Sequence, residues 1–423
     1  MVFCGLPTFR LLLLCFCFSI SQIVFAQNEP AAEKIRINPS AAMGGTVSQY
    51  IEKVNFIPFE STAESTFGNI DQLEVTDNYF IILDSETRTV LIFTKQGKFH
   101  AKLEGKKIHP QDPIVYNFNF DKKTNLIEMN YRDNIYFFDL DAKLANKIII
   151  KDWRKEWWGT KISLGDTHAA YYRYNPTMPY KKDTTAAELM VLEKGKLIQK
   201  YMPYNFNQKY DGDDDLYRAS LSHADFYPNP AGSNDSTVYY LRRCDYNIYK
   251  LTPHTLQTAY QFIFPLQNSL PPNFLTDSAF NKKRSLYLKE NKAVIQRLGN
   301  FYKTGNYLFF RTVNSDFSYL SYIYNTLSQK LICINKIVSD ATSNFLPITD
   351  AEVGGVDFLD HGIINFDGTS FYTSYSSLIL FYRMEASKNK HPQYPPMLAT
   401  YLSNEKNRKG NPVLVQIQFK KNL

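Results

Sequence analysis

A strand that ends in a short polar turn recurs six times along this chain, and the repeat restricts the fold more than any other feature. In five copies a second strand follows the turn; these copies are Phe93–Phe99, Phe138–Leu144, Leu192–Leu197, Leu251–Leu256 and Tyr324–Leu331. The sixth copy, Leu378–Tyr382, has an incoming strand and then continues into Arg383 and a basic segment. Such a succession of hairpins predicts a fold built from repeated antiparallel sheets.

Another strand precedes each copy, and its apolar and aromatic residues occupy consecutive positions. These strands are Tyr79–Leu83, Leu126–Tyr131, Ala169–Tyr174, Val238–Leu241, Tyr307–Phe310 and Thr369–Thr373. A strand with one face in water alternates apolar and polar residues, so an unbroken apolar run indicates that both faces are covered. The 30 Tyr and 31 Phe suit the wide gaps between twisted sheets. The sequence therefore predicts an all-β, six-bladed β-propeller with four-stranded antiparallel blades.

The two ends of the repeat region supply strands that would close such a ring. Val54–Phe59 and Val413–Phe419 both have strand patterns and lie outside the five complete copies. Because an open ring leaves sheet edges exposed, we expect these two segments to complete the last blade together. One helix is predicted near 277–298, where Asp277 can cap a segment with an apolar stripe. It would be an insertion between the fourth and fifth blades.

Residues 1–26 have the parts of a secretory signal: Arg10, an apolar core from Leu11 to Ile23, and small residues at the offsets that precede Gln27. The predicted organisation is a signal peptide at 1–26, an N-terminal extension at 27–50 and one propeller at 51–423. No other run approaches the length that crosses a bilayer, so no transmembrane anchor is expected. The predicted location is the periplasm or the outside of the cell.

The mature chain contains two cysteines, Cys244 and Cys333. Two are too few for a disulfide scaffold in a domain of this size. A single bridge is compatible with an oxidising compartment, and two buried free thiols in separate strands are the simpler alternative.

Several segments resemble one known family. They are Val54–Glu60, Phe67–Ile70, Ile81–Asp84, Ile92–Phe93, Gln96–Phe99 and Asn411–Val415. In these segments the chain resembles secreted six-bladed β-propellers of the Bacteroides group, with a more distant similarity to NHL-type repeats. The resemblance implies a propeller fold, export and an association with nutrient capture, and it supplies no catalytic residue.

Arginine follows an aromatic or apolar pair at the predicted end of the second strand in four blades. These residues are Arg132, Arg173, Arg242 with its neighbour Arg243, and Arg311. Equivalent strand ends lie on one rim of a propeller, so the guanidinium groups could form a positive collar around its mouth. Arginine binds carboxylate, sulfate or phosphate with two parallel donors. The alternative is that each arginine pairs with a nearby acid such as Asp133, Asp245 or Asp316 and ties blades together.

Two sets of residues combine an imidazole with carboxylates: His223 with Asp225, and His361 with Asp357 and Asp360. A metal site or a general acid/base pair would require them to converge in space, and local hydrogen bonds on surface loops are the simpler interpretation. Asp211–Asp215 concentrates oxygen ligands suited to calcium but lacks the ligand spacing of a calcium loop. Calcium or another divalent metal is left open, and no cofactor is firmly implied.

The sequence contains no nucleophile elbow, zinc-protease motif or phosphate-binding loop. Its basic residues are dispersed at a formal net charge of +7, which argues against nucleic acid as a partner. The sequence favours a secreted, noncatalytic binding or scaffold propeller for an anionic or carbohydrate ligand or a partner protein. The alternatives are a metal-assisted hydrolase or lyase with its site at the axial channel, and an assembly module without a small ligand.

Overall fold

The computed structural model describes residues 32–111, 113–115, 117–131, 134–149, 160–172, 187–203, 224–228 and 236–423. Six sheets of four or five strands form the framework of these residues. The predicted signal peptide, Arg132, Arg173, His223 and the acidic segment Asp211–Asp215 lie outside the described residues. Within them the chain begins with β1 (Glu33–Arg36), β2 (Met43–Thr46), the single helical turn α1 (Val47–Tyr50) and β3 (Ile51–Pro58).

The first three sheets follow in chain order, and every neighbouring pair of strands in them is antiparallel. Sheet 1 contains β4 (Gln72–Val75), β5 (Tyr79–Asp84), β6 (Thr89–Thr94) and β7 (Phe99–Glu104). After α2 (Gly105–Ile108), sheet 2 contains β8 (Asn119–Asp121), β9 (Leu126–Tyr131), β10 (Asn134–Phe138) and β11 (Leu144–Ile149). Sheet 3 contains β12 (Thr160–Ser163), β13 (His168–Tyr172), β14 (Ala187–Glu193) and β15 (Lys196–Pro203).

Sheets 4 and 5 each gain a fifth strand from the beginning of the chain. Sheet 4 contains β16 (Ala224–Pro228), β17 (Val238–Arg242), β18 (Asn247–Leu251) and β19 (Leu256–Ile263). After α3 (Arg284–Glu290), sheet 5 contains β20 (Ile295–Thr304), β21 (Tyr307–Asn314), β22 (Tyr319–Asn325) and β23 (Leu331–Val338). Strand β1 adds to β19 and β2 adds to β23, both in parallel. The prediction of purely four-stranded antiparallel sheets is therefore wrong for these two, because the N-terminal segment covers their outer edges.

Sheet 6 unites the two ends of the chain. It follows α4 (Asp357–His361) and contains β24 (Asn365–Phe366), β25 (Phe371–Tyr375), β26 (Val413–Phe419) and β3, while α5 (Ser377–Ala386) and α6 (Pro396–Leu402) lie between β25 and β26. Strand β26 pairs antiparallel with β3, with Val415 opposite Phe56. The predicted pairing of the two terminal strands is confirmed. Short 3₁₀ turns occupy Pro39–Ala41, Leu266–Asn268, Ser278–Phe280, Ala341–Ser343, Asp350–Val353, Lys388–Lys390 and Glu405–Lys409.

The helix predicted near 277–298 is much shorter in the structure. Only Arg284–Glu290 is α-helical, and residues from Ile295 onward form β20. The helix ends because Asn291 leaves helical geometry, with φ of −112° and ψ of 67°. Ile295 and Leu298 are buried in the core, so tertiary packing of a strand overrides the helical pattern read from the sequence.

The sixth copy of the repeat is also different from its prediction. Leu378–Tyr382 belongs to α5 and is not a strand. Leu380 and Phe381 are buried, whereas Leu378 and Tyr382, four residues apart, are exposed. A short apolar run does not distinguish a strand from a helix, and here the helical period applies. Strand β26 takes the place that this segment was predicted to fill.

Consecutive sheets are joined by polar contacts at every junction. These contacts are Gln72 to the Phe118 carbonyl, Lys161 with Glu128, Arg242 with Glu188, Arg297 with Asp225, Asn300 to the Ile363 carbonyl, and Asn365 to the Leu73 carbonyl. The last contact connects sheet 6 to sheet 1, so the series returns to its beginning. Buried aromatic and branched residues fill most junctions, for example the Phe309 and Phe371 rings, whose centroids are 4.1 Å apart between sheets 5 and 6.

Candidate functional site

Each sheet has one end at which its first strand begins and its second strand ends, because these two strands are antiparallel. We call this the upper end of the sheet. At the upper end of sheet 4, Ala224 of β16 lies opposite Arg242 of β17. At the upper end of sheet 5, Ile295 of β20 lies opposite Asn314 of β21. Of the arginines that the sequence singled out, the three that the structure describes, Arg242, Arg243 and Arg311, are near these two places.

Arg242 belongs to an ion pair inside the junction between sheets 3 and 4. Its Nη2 lies 3.2 Å from Oε2 of Glu188 on β14, and the Tyr240 hydroxyl donates a hydrogen bond to the same carboxylate. Burial raises the pKa of Glu188, and Arg242 opposes that effect. Burial lowers the pKa of Arg242, but Glu188 together with Tyr240, Asp245 and Tyr249 raises it more, and the net direction is upward. This arginine ties two sheets together, but its partner is Glu188 of β14 and not a nearby acid such as Asp245, which the alternative interpretation named.

Arg243, the next residue, points toward sheet 5. Its Nη2 donates a 2.5 Å hydrogen bond to Oε1 of Gln296 on β20, and the Gln296 amide donates in turn to the Asn314 carbonyl over 3.0 Å. Burial lowers the pKa of Arg243, and the positive charge of Arg297 lowers it further. Arg243 is therefore held at the upper end of sheet 5 without a carboxylate partner among the described residues.

Arg297 was missed in the sequence because the helix predicted near 277–298 placed it on a solvated helical surface. In the structure it lies on β20, and its guanidinium binds the Asp225 carboxylate with two donors. Nε lies 3.0 Å from Oδ2 and Nη2 lies 2.7 Å from Oδ1. Gly299 leaves room for this approach, since a Cβ there would lie 3.3 Å from the Tyr227 hydroxyl and 3.5 Å from Oδ2 of Asp225.

Arg311 on β21 is the most unusual of the arginines. It is only 7% exposed, its Nη1 donates to the Asp360 carbonyl over 3.1 Å, and its guanidinium carbon lies 4.3 Å from the centre of the Tyr319 ring. Among the residues that the structure describes, none accepts a hydrogen bond from its Nε or Nη2, and both atoms are shielded from solvent. Burial lowers the pKa of Arg311 to about 10, and the charge of Arg297 contributes to the lowering. Burying a cation whose donors have no acceptor costs free energy of folding, so such a residue in a native structure requires an explanation.

The residues proposed for a metal site occupy α4 and β16. Asp357 accepts a hydrogen bond from the Ser376 amide, and His361 has its Nδ1 3.2 Å from the Asp357 carbonyl and its Nε2 3.7 Å from Oδ1 of Asp71. Asp360 contacts Arg311 through its main-chain carbonyl, and Asp225 is paired with Arg297. Across the part of the chain that the structure describes, no three His, Cys, Asp or Glu residues are placed to hold a metal ion.

The structure thus brings Arg243 and Arg311 each into electrostatic range of Arg297, which lies between them in this series of interactions. We call these three residues the arginine cluster. Arg242 is directed away from it into the junction with sheet 3. Cys244 and Cys333 are both free thiols, and burial raises the pKa of Cys244 to about 12, so neither is a reactive nucleophile at neutral pH.

Comparison with known proteins places the chain in a family. The model of the domain of unknown function DUF4934 matches residues 34–416, which include all six sheets. The chain belongs to the DUF4934 family. No curated protein matches this DUF4934 chain.

Two solved structures from Bacteroides are similar to this DUF4934 protein. One is a protein of Bacteroides fragilis NCTC 9343 inferred to be exported; it is 14% identical, with a TM-score of 0.62, and the match covers 92% of this chain and 100% of that one. The other is a DUF4221 family member from Bacteroides vulgatus, 9% identical, with a TM-score of 0.41 over 88% of this chain and 97% of that one. At such identities the first similarity shows a shared fold alone. Among the described residues, no helix of this DUF4934 protein has the length and apolar character needed to span a membrane.

Proposed function

We propose that this DUF4934 protein is an exported six-bladed β-propeller that binds an anionic ligand at the arginine cluster and carries out no catalysis itself. Six sheets joined in series, with sheet 6 bonded back to sheet 1 through Asn365, support a closed ring of six blades. Export is supported by the predicted signal sequence and by the family resemblance. The domain boundaries at 27–50 and 51–423 stay predictions.

The observation that carries the proposed ligand class is the charge of the arginine cluster. Arg243 and Arg311 both lie within electrostatic range of Arg297, and among the described residues a single carboxylate, that of Asp225, pairs with any of the three. An anion is the ligand that would balance this excess. If the ligand is the predicted carbohydrate, it is an acidic sugar. If it is a partner protein, that protein presents an acidic group to the arginine cluster.

The prediction of a metal-assisted hydrolase or lyase stays a prediction, because His223 lies outside the described residues. The described members of that set already have other partners: Asp225 binds Arg297, and Asp357 accepts from the Ser376 amide. Those contacts favour a structural role for the carboxylates over metal coordination. Binding without catalysis is therefore the interpretation that the geometry supports best.

The test is a calorimetric titration of the mature chain with acidic, sulfated and neutral oligosaccharides. We expect acidic or sulfated probes to bind and neutral ones not to bind. Replacing Arg243→Gln should weaken binding by about tenfold, since a hydrogen bond to a charged group contributes about 1.5–3 kcal/mol. Arg36→Gln is the control, because Arg36 is exposed on β1 and its replacement changes the net charge equally. Equal affinity for neutral and acidic probes would refute the proposal.

A further inference from the structure

The two unused donors of Arg311 define one edge of its guanidinium group. Nε and Nη2 lie side by side, and this pair is the edge that grips a carboxylate with two parallel hydrogen bonds. Nη1 already donates to the Asp360 carbonyl, and the ring of Tyr319 lies against the guanidinium face. The plane of the group is therefore fixed by the protein, while the edge with two donors meets no acceptor in the part of the chain that the structure describes.

Arg297, the neighbour of Arg311 within the arginine cluster, shows how such an edge is used in this molecule. Its Nε and Nη2, the same two atoms, bind the Asp225 carboxylate at 3.0 Å and 2.7 Å. No acidic side chain among the described residues takes the corresponding position at Arg311. Both arginines therefore present the same pair of donors. An internal carboxylate binds the pair on Arg297, whereas no group among the described residues binds the pair on Arg311.

The segment from Asp360 to Ile363 lies against Nη1 of Arg311, and hydrogen bonds hold it in place. The Thr373 hydroxyl donates to the Gly362 carbonyl over 2.9 Å, and the Asn300 amide donates to the Ile363 carbonyl over 3.0 Å. Both free donors of Arg311 are shielded from solvent, so binding requires a local displacement of this segment. A planar carboxylate needs less displacement than sulfate or phosphate, whose remaining oxygens project out of the plane of the fork.

We propose that Arg311 binds a carboxylate group of the ligand through Nε and Nη2, with Tyr319 and the Asp360 carbonyl holding the guanidinium in the required plane. This inference rests on the proposed function and narrows its ligand class from anions in general to carboxylates. The low exposure of Arg311 means that the carboxylate enters as a terminal group. The rest of the ligand remains outside, near Arg243.

The first experiment observes the Nε–H group of Arg311 directly by NMR. Mature protein labelled with ¹⁵N-arginine is titrated with sodium acetate, sodium sulfate and sodium chloride at constant ionic strength, and the Nε–H resonances are followed. The Arg311 resonance is assigned from its loss in Arg311→Lys. We expect acetate to shift it saturably, with sulfate and chloride having no such effect and the exposed Arg36 resonance staying in place. No shift with acetate, or an equal shift with sulfate, would overturn the proposal.

A second measurement keeps the proposal testable if Arg311→Lys does not fold. Crystals of the wild-type protein soaked in acetate should show a carboxylate within hydrogen-bonding distance of Nε and Nη2. Acetate density at other surface sites and none at this fork counts against the proposal.

Titration with galacturonate oligomers then separates this inference from the proposed function. Arg311→Lys keeps the charge but removes the two-donor edge, so affinity should fall at least tenfold, whereas Arg36→Lys should leave it unchanged. If sulfated oligosaccharides bind and carboxylates do not, the carboxylate site is refuted while the anion-binding function stands. If no anionic probe binds, both are refuted.

Discussion

Arg242 and Arg311 follow equivalent apolar pairs in the second strands of neighbouring sheets, yet their surroundings differ completely. Arg242 shares the junction between sheets 3 and 4 with the Glu188 carboxylate and the Tyr240 hydroxyl. Arg311 donates to the Asp360 carbonyl of α4 and packs against the Tyr319 ring of β22, and no carboxylate among the described residues pairs with it. The first arginine is paired with a carboxylate and leaves one buried donor, Nε, without an acceptor among the described residues; the second pairs with no described carboxylate and leaves two, Nε and Nη2.

The strand alternation explains why residues in the same position of the repeat face different neighbours. Side chains two residues apart share a face of a strand. Tyr240, two residues before Arg242, packs in the core between sheets 3 and 4, whereas Phe309, two residues before Arg311, packs against sheet 6. The two arginines therefore point toward opposite sides of the series of sheets. A repeat in sequence predicts the strand but does not fix which neighbour a polar residue meets.

The largest expected difference between the two arginines comes from replacing each of them separately by methionine. Arg242→Met leaves the Glu188 carboxylate buried without its cation, and we expect the free energy of unfolding to fall by about 3–5 kcal/mol. Arg311→Met removes a buried cation with two unused donors, so its effect should stay within about 1 kcal/mol of the wild type. Urea denaturation of both variants without ligand measures the difference. Similar losses in the two variants would show that Arg311 is as structural as Arg242.

A smaller effect is expected at Gly362, which belongs to the segment that lies against Arg311. Gly362 has φ of +65°, and a Cβ there would collide with the Asn300 side chain and lie 3.3 Å from Nη1 of Arg311. Gly362→Ala should therefore destabilise the protein by about 2 kcal/mol and weaken carboxylate binding.

Gly354→Ala is the matched control for this substitution. Gly354 has φ of +75°, but a Cβ there would meet no atom within 4 Å, so only backbone strain applies, about 1 kcal/mol. Thermal melts and the acetate titration together distinguish the two variants. Equal losses of stability with unchanged binding would show that the segment around Gly362 is not coupled to Arg311.

The sequence was sufficient for most strands of the repeat and for the closing pair of β3 and β26, because unbroken apolar runs and polar turns are local signals. It was insufficient at Leu378–Tyr382, which is helical, and at the start of β20. It was insufficient for the arginine cluster. Arg297 lies in a charged segment whose helical periodicity predicted a helix. Glu188 lies in the apolar run Ala187–Leu192, where a single acid gives no sign of an ion pair with another sheet. The partner of each arginine depends on which sheets become neighbours and on the face each strand presents. Both depend on the tertiary structure, which a local sequence pattern does not determine.

The comparison between the two arginines also predicts a difference in their response to alkaline pH. Glu188 keeps the pKa of Arg242 above its ordinary range, whereas burial lowers the pKa of Arg311 to about 10. The charged groups that act on Arg311 are Arg297 and Asp360, and the tyrosines near it are Tyr319 and Tyr227. Burial raises the pKa of Tyr227 well above its ordinary value, so that residue stays neutral in the same window.

Because only the protonated guanidinium attracts a carboxylate, acetate affinity should be constant from neutral pH to about pH 9 and fall about tenfold per pH unit above 10. In the ligand-free protein, the free energy of unfolding changes in the opposite direction from the acetate affinity as pH increases. The unfolded chain holds the Arg311 proton more tightly than the folded protein, so the contribution of Arg311 to the free energy of unfolding rises as pH increases beyond about 10. The ¹⁵Nε resonances of both arginines, followed between about pH 7 and 11, measure this. Arg311 should titrate while Arg242 does not, and simultaneous titration would remove the distinction between them.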